Sequence, residues 1–485
     1  MPTTALRQKE ENLFNAILKK TTPEMLAVYG RRRIGKTYLV REFFSKKAIY
    51  FEATGLKDGS MQQQLKLFTN KISGTFFGGI ALETPKSWLD ALTLLTKEIN
   101  KIPESKKVVV FLDELPWLAT KRSQLMQSLD HIWNTLWSKR KNLILILCGS
   151  AASWMLDNLI NAKGGLHNRI TQIILLKAFT LAQTKLFLKE KNIKLSDKNI
   201  LDIYMIIGGV PYYLQELQKS LSVAQNINRL CFSEDAILNT EFDRLFKALF
   251  DEAEVSKTII RAIAEKHKGL SREDLIKATK ISSGGTLHKR LRELEAAGFI
   301  KSYIPYGYKK RETFYRIIDE YSLFYLRWIE PINQKGFGST KNQWQSLMQT
   351  SSWQSWSGYA FEAVCFKHVN QITKALELEN SVIGMSSWRY LSKKGQKAAG
   401  AQIDLLLERN DNAFTICEIK YSNKLYLFDK ATAKNLANKV MVFEEETKAQ
   451  KQVFVAMITI FGIKPNIWSE DLVNNSVTLS DLFEF

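Results

Sequence analysis

The residues with the clearest chemical pattern lie between positions 30 and 37, where Gly-Arg-Arg-Arg-Ile-Gly-Lys-Thr fits the spacing G-x-x-x-x-G-K-[ST]. An apolar segment, 25–29, precedes this loop and a helical pattern, 38–44, follows it. A loop of this kind holds phosphate through its backbone N–H groups and the helix N-terminus, while Lys36 reaches the terminal phosphates and Thr37 offers its hydroxyl to Mg²⁺. The residues predicted to contact nucleotide are Gly30, Arg31, Arg32, Arg33, Ile34, Gly35, Lys36, Thr37 and Tyr38. The three arginines either add contacts to nucleotide or a partner, or are solvated loop charges.

A second chemical pattern is an apolar run, 108–112, that ends in two carboxylates, Asp113 and Glu114. Asp113 is predicted to orient Mg²⁺ through water, and Glu114 is predicted to act as the general base that polarises the attacking water. The alternative is a pair of acids that cap a strand at the surface. Because both patterns occur in this order, ATP with Mg²⁺ is the favoured ligand.

A third set of residues lies near the end of the chain and combines carboxylates with a lysine. Glu362 falls in a helical stretch, Asp404 in a strand, and Glu418 and Lys420 in the next strand. Side chains alternate along a strand, so Glu418 and Lys420 share one face and Asp404 can lie opposite them. These residues are predicted to be catalytic, with Asp404 and Glu418 as ligands of a Mg²⁺ ion that activates water.

A basic helix and a hairpin lie between these sites. In 283–294, Leu287, Leu291 and Leu294 form one apolar face, and the helix also carries His288, Lys289, Arg290 and Arg292. Three helical segments followed by two strands, 299–305 and 313–318, indicate a winged helix-turn-helix. It would contact DNA through this helix and through Lys309, Lys310 and Arg311, or it would pack as a lid without touching DNA.

The elements that must position the first two sites are strands alternating with amphipathic helices. This alternation predicts a parallel sheet covered on both faces, and therefore an α/β fold. The predicted domains are a P-loop ATPase domain with a helical lid (1–240), a winged helix (251–330) and a C-terminal α/β domain (356–485). The predicted strands of the first domain are 25–29, 48–52, 108–112, 143–148 and 171–176.

Composition restricts the class of protein further. Lys and Arg exceed Asp and Glu by 20, and residues 1–240 carry 14 of these charges, which points to a polyanionic ligand. No apolar run approaches the roughly 20 residues that cross a bilayer, and the N-terminus has no secretory pattern. We therefore expect no membrane partner. Because the four cysteines are widely separated, we also expect a reducing, cytoplasmic location.

Four motifs together resemble the archaeal-type ATPase family, which belongs with the AAA+ and STAND-like P-loop ATPases. They are residues 30–37, Phe-Leu-Asp-Glu-Leu-Pro-Trp at 111–117, Leu-Cys-Gly-Ser at 147–150 and Gly-Gly-Val-Pro-Tyr at 208–212. The resemblance implies that Ser150 is a sensor near the γ-phosphate, although serine after a strand is also a common helix cap. It implies that Arg169 senses phosphate in cis or, in a homo-oligomer, in trans; otherwise Arg169 is a surface arginine. Gly208–Pro211 resembles the Gly-x-Pro element of STAND ATPases, and is equally a helix stop.

The C-terminal residues resemble the PD-(D/E)xK nuclease superfamily. The resemblance implies that Asp404 is the metal aspartate, Glu418 and Lys420 the E-x-K pair, and Glu362 the helical acid. The alternatives are charges on an edge strand or a degenerate nuclease fold used for binding. Lys393, Lys394 and Lys397 either guide a nucleic-acid backbone or belong to a basic loop.

The sequence therefore predicts a Mg²⁺-dependent ATPase coupled to a restriction-endonuclease-like domain that acts on DNA. The competing hypothesis is a STAND-like switch, in which nucleotide state changes assembly and the C-terminal domain binds a partner without catalysis.

Overall fold

The computed structural model describes residues 4–120, 122–161, 165–266, 269–282, 284–335, 343–390, 400–448 and 450–485. The chain divides into two compact units, residues 1–178 and 179–485. The predicted lid residues, 179–240, thus belong to the second unit. Lys393, Lys394 and Lys397 lie outside the described residues. Among the described residues, no helix combines the length and apolar character that crossing a membrane requires.

The first unit is built on a parallel sheet of five strands in the order β2-β3-β4-β1-β5. The strands are β1 (Glu24–Tyr29), β2 (Ile49–Thr54), β3 (Val108–Asp113), β4 (Leu143–Gly149) and β5 (Gln172–Leu175). Each coincides with one of the predicted strands to within two residues at either end. The prediction of an α/β fold with a parallel sheet is therefore confirmed.

Both faces of this sheet are buried, which explains why its central strands are almost continuously apolar. In β3, Val108, Val110 and Leu112 pack into one core, whereas Val109 and Phe111 pack into the core on the opposite face. The helices of this unit are α1 (Gln8–Lys19), α2 (Lys36–Phe44), α3 (Met61–Phe76), α4 (Trp88–Asn100), α5 (Leu115–Leu118), α6 (Leu125–Thr135) and α7 (Ala152–Met155).

The second unit begins with helices. They are α8 (Leu181–Glu190), α9 (Asp197–Ile207), α10 (Pro211–Leu214), α11 (Val223–Cys231), α12 (Glu241–Leu249) and α13 (Ala253–Ala264). Gly208 ends α9 with a φ of 63°, a left-handed conformation that favours glycine and serves as a helix stop.

The predicted helices and hairpin follow. The elements are β6 (Leu270–Ser271), α14 (Arg272–Thr279), α15 (Gly285–Ala296), β7 (Ile300–Tyr303) and β8 (Phe314–Ile317). The three strands form an antiparallel sheet in the order β6-β8-β7, so the predicted hairpin is confirmed.

The segment between hairpin and C-terminal sheet is a packed aromatic connector. Its helices are α16 (Glu320–Phe324), α17 (Glu330–Gln334) and α18 (Gln343–Leu347). Trp344 is fully buried, stacks on Phe232 with centroids 5.8 Å apart, and meets Trp353 edge-on at 4.9 Å. Such aromatic pairs stabilise a core beyond the area they bury.

A mixed sheet in the order β15-β13-β11-β10-β9 forms the last part of the unit. The remaining elements are α19 (Ser351–Lys367), α20 (Val369–Ala375), β9 (Val382–Tyr390), β10 (Ala401–Arg409), β11 (Ala413–Lys420), β12 (Tyr426–Leu427), α21 (Lys430–Thr447), β13 (Gln452–Thr459), β14 (Ile463–Lys464), α22 (Ile467–Leu472) and β15 (Asn475–Val477). The predicted helical stretch that contains Glu362 ends at His368, where the backbone leaves helical geometry and α19 meets α20.

Candidate functional site

The loop between β1 and α2 has a backbone that requires its two glycines. Gly30 has a φ of 146°, and a Cβ there would lie 2.2 Å from the carbonyl oxygen of Leu176. Gly35 is the N-cap residue of α2 and has a φ of 89°. Side chains rarely adopt such angles, so the loop conformation depends on both positions.

Lys36 is buried at the first position of α2. Its Nζ donates hydrogen bonds to the carbonyl oxygens of Gly30 and Arg31, both at 3.0 Å. The ammonium group is thereby held inside the loop rather than extended into solvent. A cation in this position complements phosphate oxygens bound by the loop.

Thr37 and Asp113, which are 76 residues apart, are joined by a hydrogen bond. The Thr37 hydroxyl donates to Asp113 Oδ2 at 2.7 Å. The contact arises because β1 and β3 are parallel strands on either side of β4, so their carboxyl ends lie at the same edge of the sheet. Asp113 is 4% exposed, and its other oxygen, Oδ1, has no hydrogen-bond partner among the described residues.

Glu114 lies at the same edge, held by Ser150 from the end of β4. Glu114 Oε2 accepts hydrogen bonds from the Ser150 hydroxyl at 2.8 Å and from its backbone N–H at 3.1 Å. Glu114 has a φ of 47°, an uncommon angle for a residue with a side chain. The backbone is thus turned sharply at the residue predicted to be the base.

The other predicted residues of this site are less constrained. The Arg32 guanidinium lies 5.9 Å from the centre of the Trp117 ring, and the Tyr38 side chain is 47% exposed. Arg169 is exposed on the short helical turn Gly165–Arg169 that precedes β5. Within the described ranges, no hydrogen bond joins Arg169 to the network of Thr37 and Asp113. Its predicted role stays a prediction.

These residues fit a nucleoside triphosphate with a divalent cation. The glycine loop leaves backbone room for phosphate, Lys36 supplies positive charge, and Asp113 Oδ1 is an unsatisfied buried acceptor of the kind that a metal or its water ligand satisfies. Thr37 and Asp113 would hold the cation. When bound, the cation neutralises charge on the phosphates. Ser150 fixes the orientation of Glu114, whose role as general base stays a prediction.

The second predicted site is assembled by β10, β11 and α19. In the register of β10 and β11, Leu405 lies opposite Cys417, which brings Asp404 beside Glu418. Asp404 Oδ2 also accepts a hydrogen bond from the Ile419 N–H at 3.3 Å. Glu362 projects from α19, a helix that packs on β11. The four residues predicted from sequence are therefore neighbours.

Burial and mutual repulsion change the acidity of these carboxyls. Burial and the charge of Asp404 raise the pKa of Glu362 to about 8, and burial and Glu418 raise the pKa of Asp404 to about 6. Burial also raises the pKa of Glu418, but two lysine ammonium groups outweigh it and the net pKa is lowered. Burial and the neighbouring carboxylate thus favour the protonated form of Glu362, whereas the two lysines favour the ionised form of Glu418.

The second of those lysines, Lys439, was not predicted from the sequence. Its Nζ lies 2.9 and 2.7 Å from the two carboxylate oxygens of Glu418, and Lys420 Nζ lies 2.7 Å from one of them. Lys439 belongs to α21, which connects β11 to the parallel strand β13. Its position depends on how that crossover helix packs, and no spacing in the sequence signals it.

The predicted metal site is not preformed by three carboxylates. Within the described residues, no group of three or more His, Cys, Asp or Glu side chains is arranged to hold a metal ion. Glu418 is instead directed to two lysines, and Glu362 is largely uncharged. Metal binding by Asp404 and Glu418 therefore stays a prediction and would require Glu418 to exchange a lysine for the ion.

The basic helix α15 differs from its predicted arrangement at one residue. His288, Lys289 and Arg292 are exposed, but Arg290 is buried and forms salt bridges with Glu252 and Glu293. Arg290 is therefore not available for the phosphate contacts expected of it if this helix entered a major groove. Arg290 follows Leu287 by three positions, so it borders the apolar stripe and turns inward.

The hairpin β7–β8 is attached to the C-terminal sheet. The Tyr306 N–H donates to the Ser387 carbonyl oxygen at 2.9 Å, and the Tyr306 ring packs 5.2 Å from Phe414 and 6.0 Å from Phe443. Lys309 and Arg311 remain exposed beyond this anchor. One side of the hairpin is thus committed to intramolecular packing.

Comparison with known proteins bears on the first site. Residues 6–217 match the model of a family described as an ATPase domain predominantly from Archaea. The matched residues include the loop between β1 and α2 and the two acids at the end of β3, so this part of the chain is similar to that family. An uncharacterized protein of Methanocaldococcus jannaschii is 24% identical over 421 residues, which cover 86% of this chain and 87% of that protein.

Solved structures show a weaker likeness. The Walker-type ATPase of Pyrococcus abyssi is 18% identical, with a TM-score of 0.49, and covers 67% of this chain and 96% of its own. The ORC2 protein of Aeropyrum pernix, solved as ADPNP and ADP complexes, is 15% identical, with a TM-score of 0.41 and coverage of 68% and 93%. At these TM-scores neither structure defines the fold of this chain.

Proposed function

We propose that this protein binds ATP with Mg²⁺ at the loop between β1 and α2 and hydrolyses it. The observation that carries the proposal is the Thr37–Asp113 hydrogen bond beside an unsatisfied buried Asp113 oxygen. Glu114, fixed by Ser150, acts as general base toward the attacking water. Lys36 and the loop N–H groups bind the phosphates, with Arg31 to Arg33 on the same loop adding positive charge.

The variant Lys36→Ala tests the nucleotide site, because it removes a buried ammonium group that the loop carbonyls of Gly30 and Arg31 hold in place. We expect it to lose ATP binding, measured by calorimetry with Mg²⁺. The matched control is Lys66→Ala, which removes an exposed lysine of α3 in the same unit. Normal ATP affinity in Lys36→Ala would refute the assignment.

We propose further that residues 356–485 form a PD-(D/E)xK nuclease-like domain that acts on DNA, with a winged helix over 251–330. The support is the juxtaposition of Asp404, Glu418 and Lys420 on two antiparallel strands, with Glu362 on an adjoining helix. In this proposal Asp404 and Glu418 hold a divalent cation, and Lys420 stabilises the negative charge that develops on phosphate.

One observation favours a second candidate, a nucleotide-dependent switch whose C-terminal domain binds without cutting. Both oxygens of Glu418 are held by lysines, as in a structural ion cluster. Incubation of plasmid and linear DNA with Mg²⁺ or Mn²⁺ separates the two. Cleavage that disappears in Asp404→Ala but not in the control Asp411→Ala, which alters an exposed acid beyond β10, supports the nuclease; absence of cleavage supports the switch.

A further inference from the structure

A small cavity beside the carboxylates is bordered by two arginines from different elements. Arg316 lies on β8 and Arg389 on β9, and the cavity of about 40 Å³ also reaches Glu362 and Asp404. A volume of this size holds a few water molecules, or the oxygens of one phosphate, and is too small for a nucleobase. The three-stranded sheet thus contributes a charged residue to the site of the C-terminal domain.

Both guanidinium groups lie on aromatic rings. The Arg316 guanidinium carbon is 3.5 Å from the centre of the Phe366 ring and 4.7 Å from that of Tyr303, and that of Arg389 is 4.3 Å from the centre of Phe314. A ring supports the flat face of guanidinium and leaves its N–H edges available. In the part of the chain that the structure describes, the buried Nε of each arginine has no hydrogen-bond partner.

The charges around the cavity are not balanced. Burial lowers the pKa of Arg316 to about 10, so it remains charged at neutral pH, and the described residues give neither arginine a salt bridge. The ionisable groups near the cavity are three acids and four bases, namely Glu362, Asp404, Glu418, Arg316, Arg389, Lys420 and Lys439, so cations are in excess even when every carboxyl is ionised. An anion is the ligand that satisfies such a surplus.

A larger groove adjoins the cavity and indicates what carries the anion. It has a volume of about 750 Å³, runs along α13, α14 and β8, and shares Tyr359 and Arg389 with the lining of the cavity. Lys266 and Lys277 lie along the same groove, as do Glu265 and Asp274, and with Arg389 the cations outnumber the acids. A chain of linked phosphates can therefore lie in the groove while a single phosphate enters the cavity.

We propose that Arg316 and Arg389 bind a backbone phosphate of a nucleic acid at the carboxylate site, so that the hairpin β7–β8 completes this site. The inference rests on the proposed action of the C-terminal domain on nucleic acid, and names the residues that hold the phosphodiester. The two guanidinium edges donate hydrogen bonds to the phosphate oxygens and place the phosphorus beside Asp404. Arg316 and Arg389 are thus binding residues contributed by two different sheets.

The test is nucleic-acid binding by the full chain in EDTA, where cleavage does not occur. Fluorescence anisotropy is measured with labelled single-stranded DNA, duplex DNA and RNA of one sequence. Arg316→Gln and Arg389→Gln are each expected to weaken binding roughly tenfold and to reduce the slope of log affinity against log salt by about one. Arg316→Lys keeps the charge but loses the planar guanidinium, so its affinity should fall less than that of Arg316→Gln.

The matched control is Arg327→Gln, which removes an exposed arginine that lies 5.5 Å from the Trp328 ring and does not line the cavity. Unchanged ATP turnover and thermal midpoints establish that the variants fold. If Arg316→Gln does not fold, binding by Arg389→Gln and Arg316→Lys provides the test. The inference is overturned if these variants bind like Arg327→Gln, or if the native protein binds none of the three probes. Selective loss of binding without any DNA cleavage would retain the inference and refute only the nuclease.

Discussion

Replacing Glu114 by glutamine isolates the chemical role of one carboxylate from its structural role. In the folded protein, Glu114 Oε2 accepts both hydrogen bonds from Ser150. The amide oxygen of glutamine can accept the same two bonds, and the substitution keeps the length of the side chain. Glu114→Gln should therefore preserve the loop geometry and ATP affinity while removing the basic oxygen.

The expected effect on turnover is large. General-base catalysis contributes about 10²- to 10⁴-fold, which corresponds to about 3 to 5 kcal/mol of transition-state free energy. Steady-state ATP hydrolysis should fall by at least about 100-fold. The dissociation constant for ATP should change by less than about threefold, which is on the order of experimental scatter. The control is Glu42→Gln, which alters an exposed carboxylate on α2.

Two results would contradict what we expect of Glu114→Gln. Normal ATP turnover in Glu114→Gln would exclude Glu114 as the base. A combined loss of ATP binding and thermal stability would instead show that the carboxylate charge is needed for the fold around Ser150, because the amide preserves the hydrogen-bonding shape.

Three further predictions concern the fold around these sites. Gly30→Ala should abolish ATP binding because its Cβ would overlap a backbone oxygen, whereas Gly35→Ala, with open space around its Cβ, should cost roughly 1 kcal/mol of unfolding free energy. Burial lowers the pKa of His368 from 6.5 to about 4, so the unfolded chain takes up this proton at a higher pH than the folded chain. The free energy of unfolding should therefore fall by about 3 kcal/mol as the pH decreases from 6.5 to about 4. A pH profile of denaturation that matches that of His368→Asn would contradict this prediction. Tyr421→Phe removes the hydroxyl that donates to Asp202 at 2.9 Å, and should lower the unfolding free energy by about 1 to 2 kcal/mol; an unchanged midpoint in urea would show that this bond is not stabilising.

Much of the first site was predictable because local sequence determines it. The apolar runs of β1, β3 and β4 are buried on both faces, and parallel strands bring their carboxyl ends to one edge. The spacing of the glycines set the loop, and the acids that follow β3 were placed at the same edge by topology alone. The hydrogen bond from Ser150 to Glu114 required β4 to lie beside β3, which the sequence order does not state.

The second site was predictable only in part, since three of its charged residues arrive by tertiary packing. Asp404, Glu418 and Lys420 follow strand alternation and one short turn. Lys439 is delivered by a crossover helix, and Arg316 and Arg389 by the attachment of a hairpin to the sheet. None of these three occupies a recognisable motif, and a lysine or arginine in an amphipathic element is by default a surface residue.

The charge distribution takes on a more local meaning in the structure. Residues 331–485 carry only 2 of the 20 excess positive charges, which argued against nucleic-acid binding by bulk charge there. Yet cations outnumber carboxyl groups around the carboxylate cavity, and neither Arg316 nor Arg389 forms a salt bridge within the described residues. A site can thus attract phosphate in a domain whose net charge is small.

The rate of DNA cleavage with and without ATP, at constant Mg²⁺, tests the proposed coupling of the two sites most directly. The wild-type protein, Lys36→Ala and Asp404→Ala are compared on plasmid and linear DNA. We expect cleavage by the wild type that changes with ATP, cleavage by Lys36→Ala that no longer responds to ATP, and no cleavage by Asp404→Ala. Cleavage that survives in Asp404→Ala would contradict the proposed nuclease site. Absence of cleavage by the wild type under every condition would contradict a nuclease coupled to ATP.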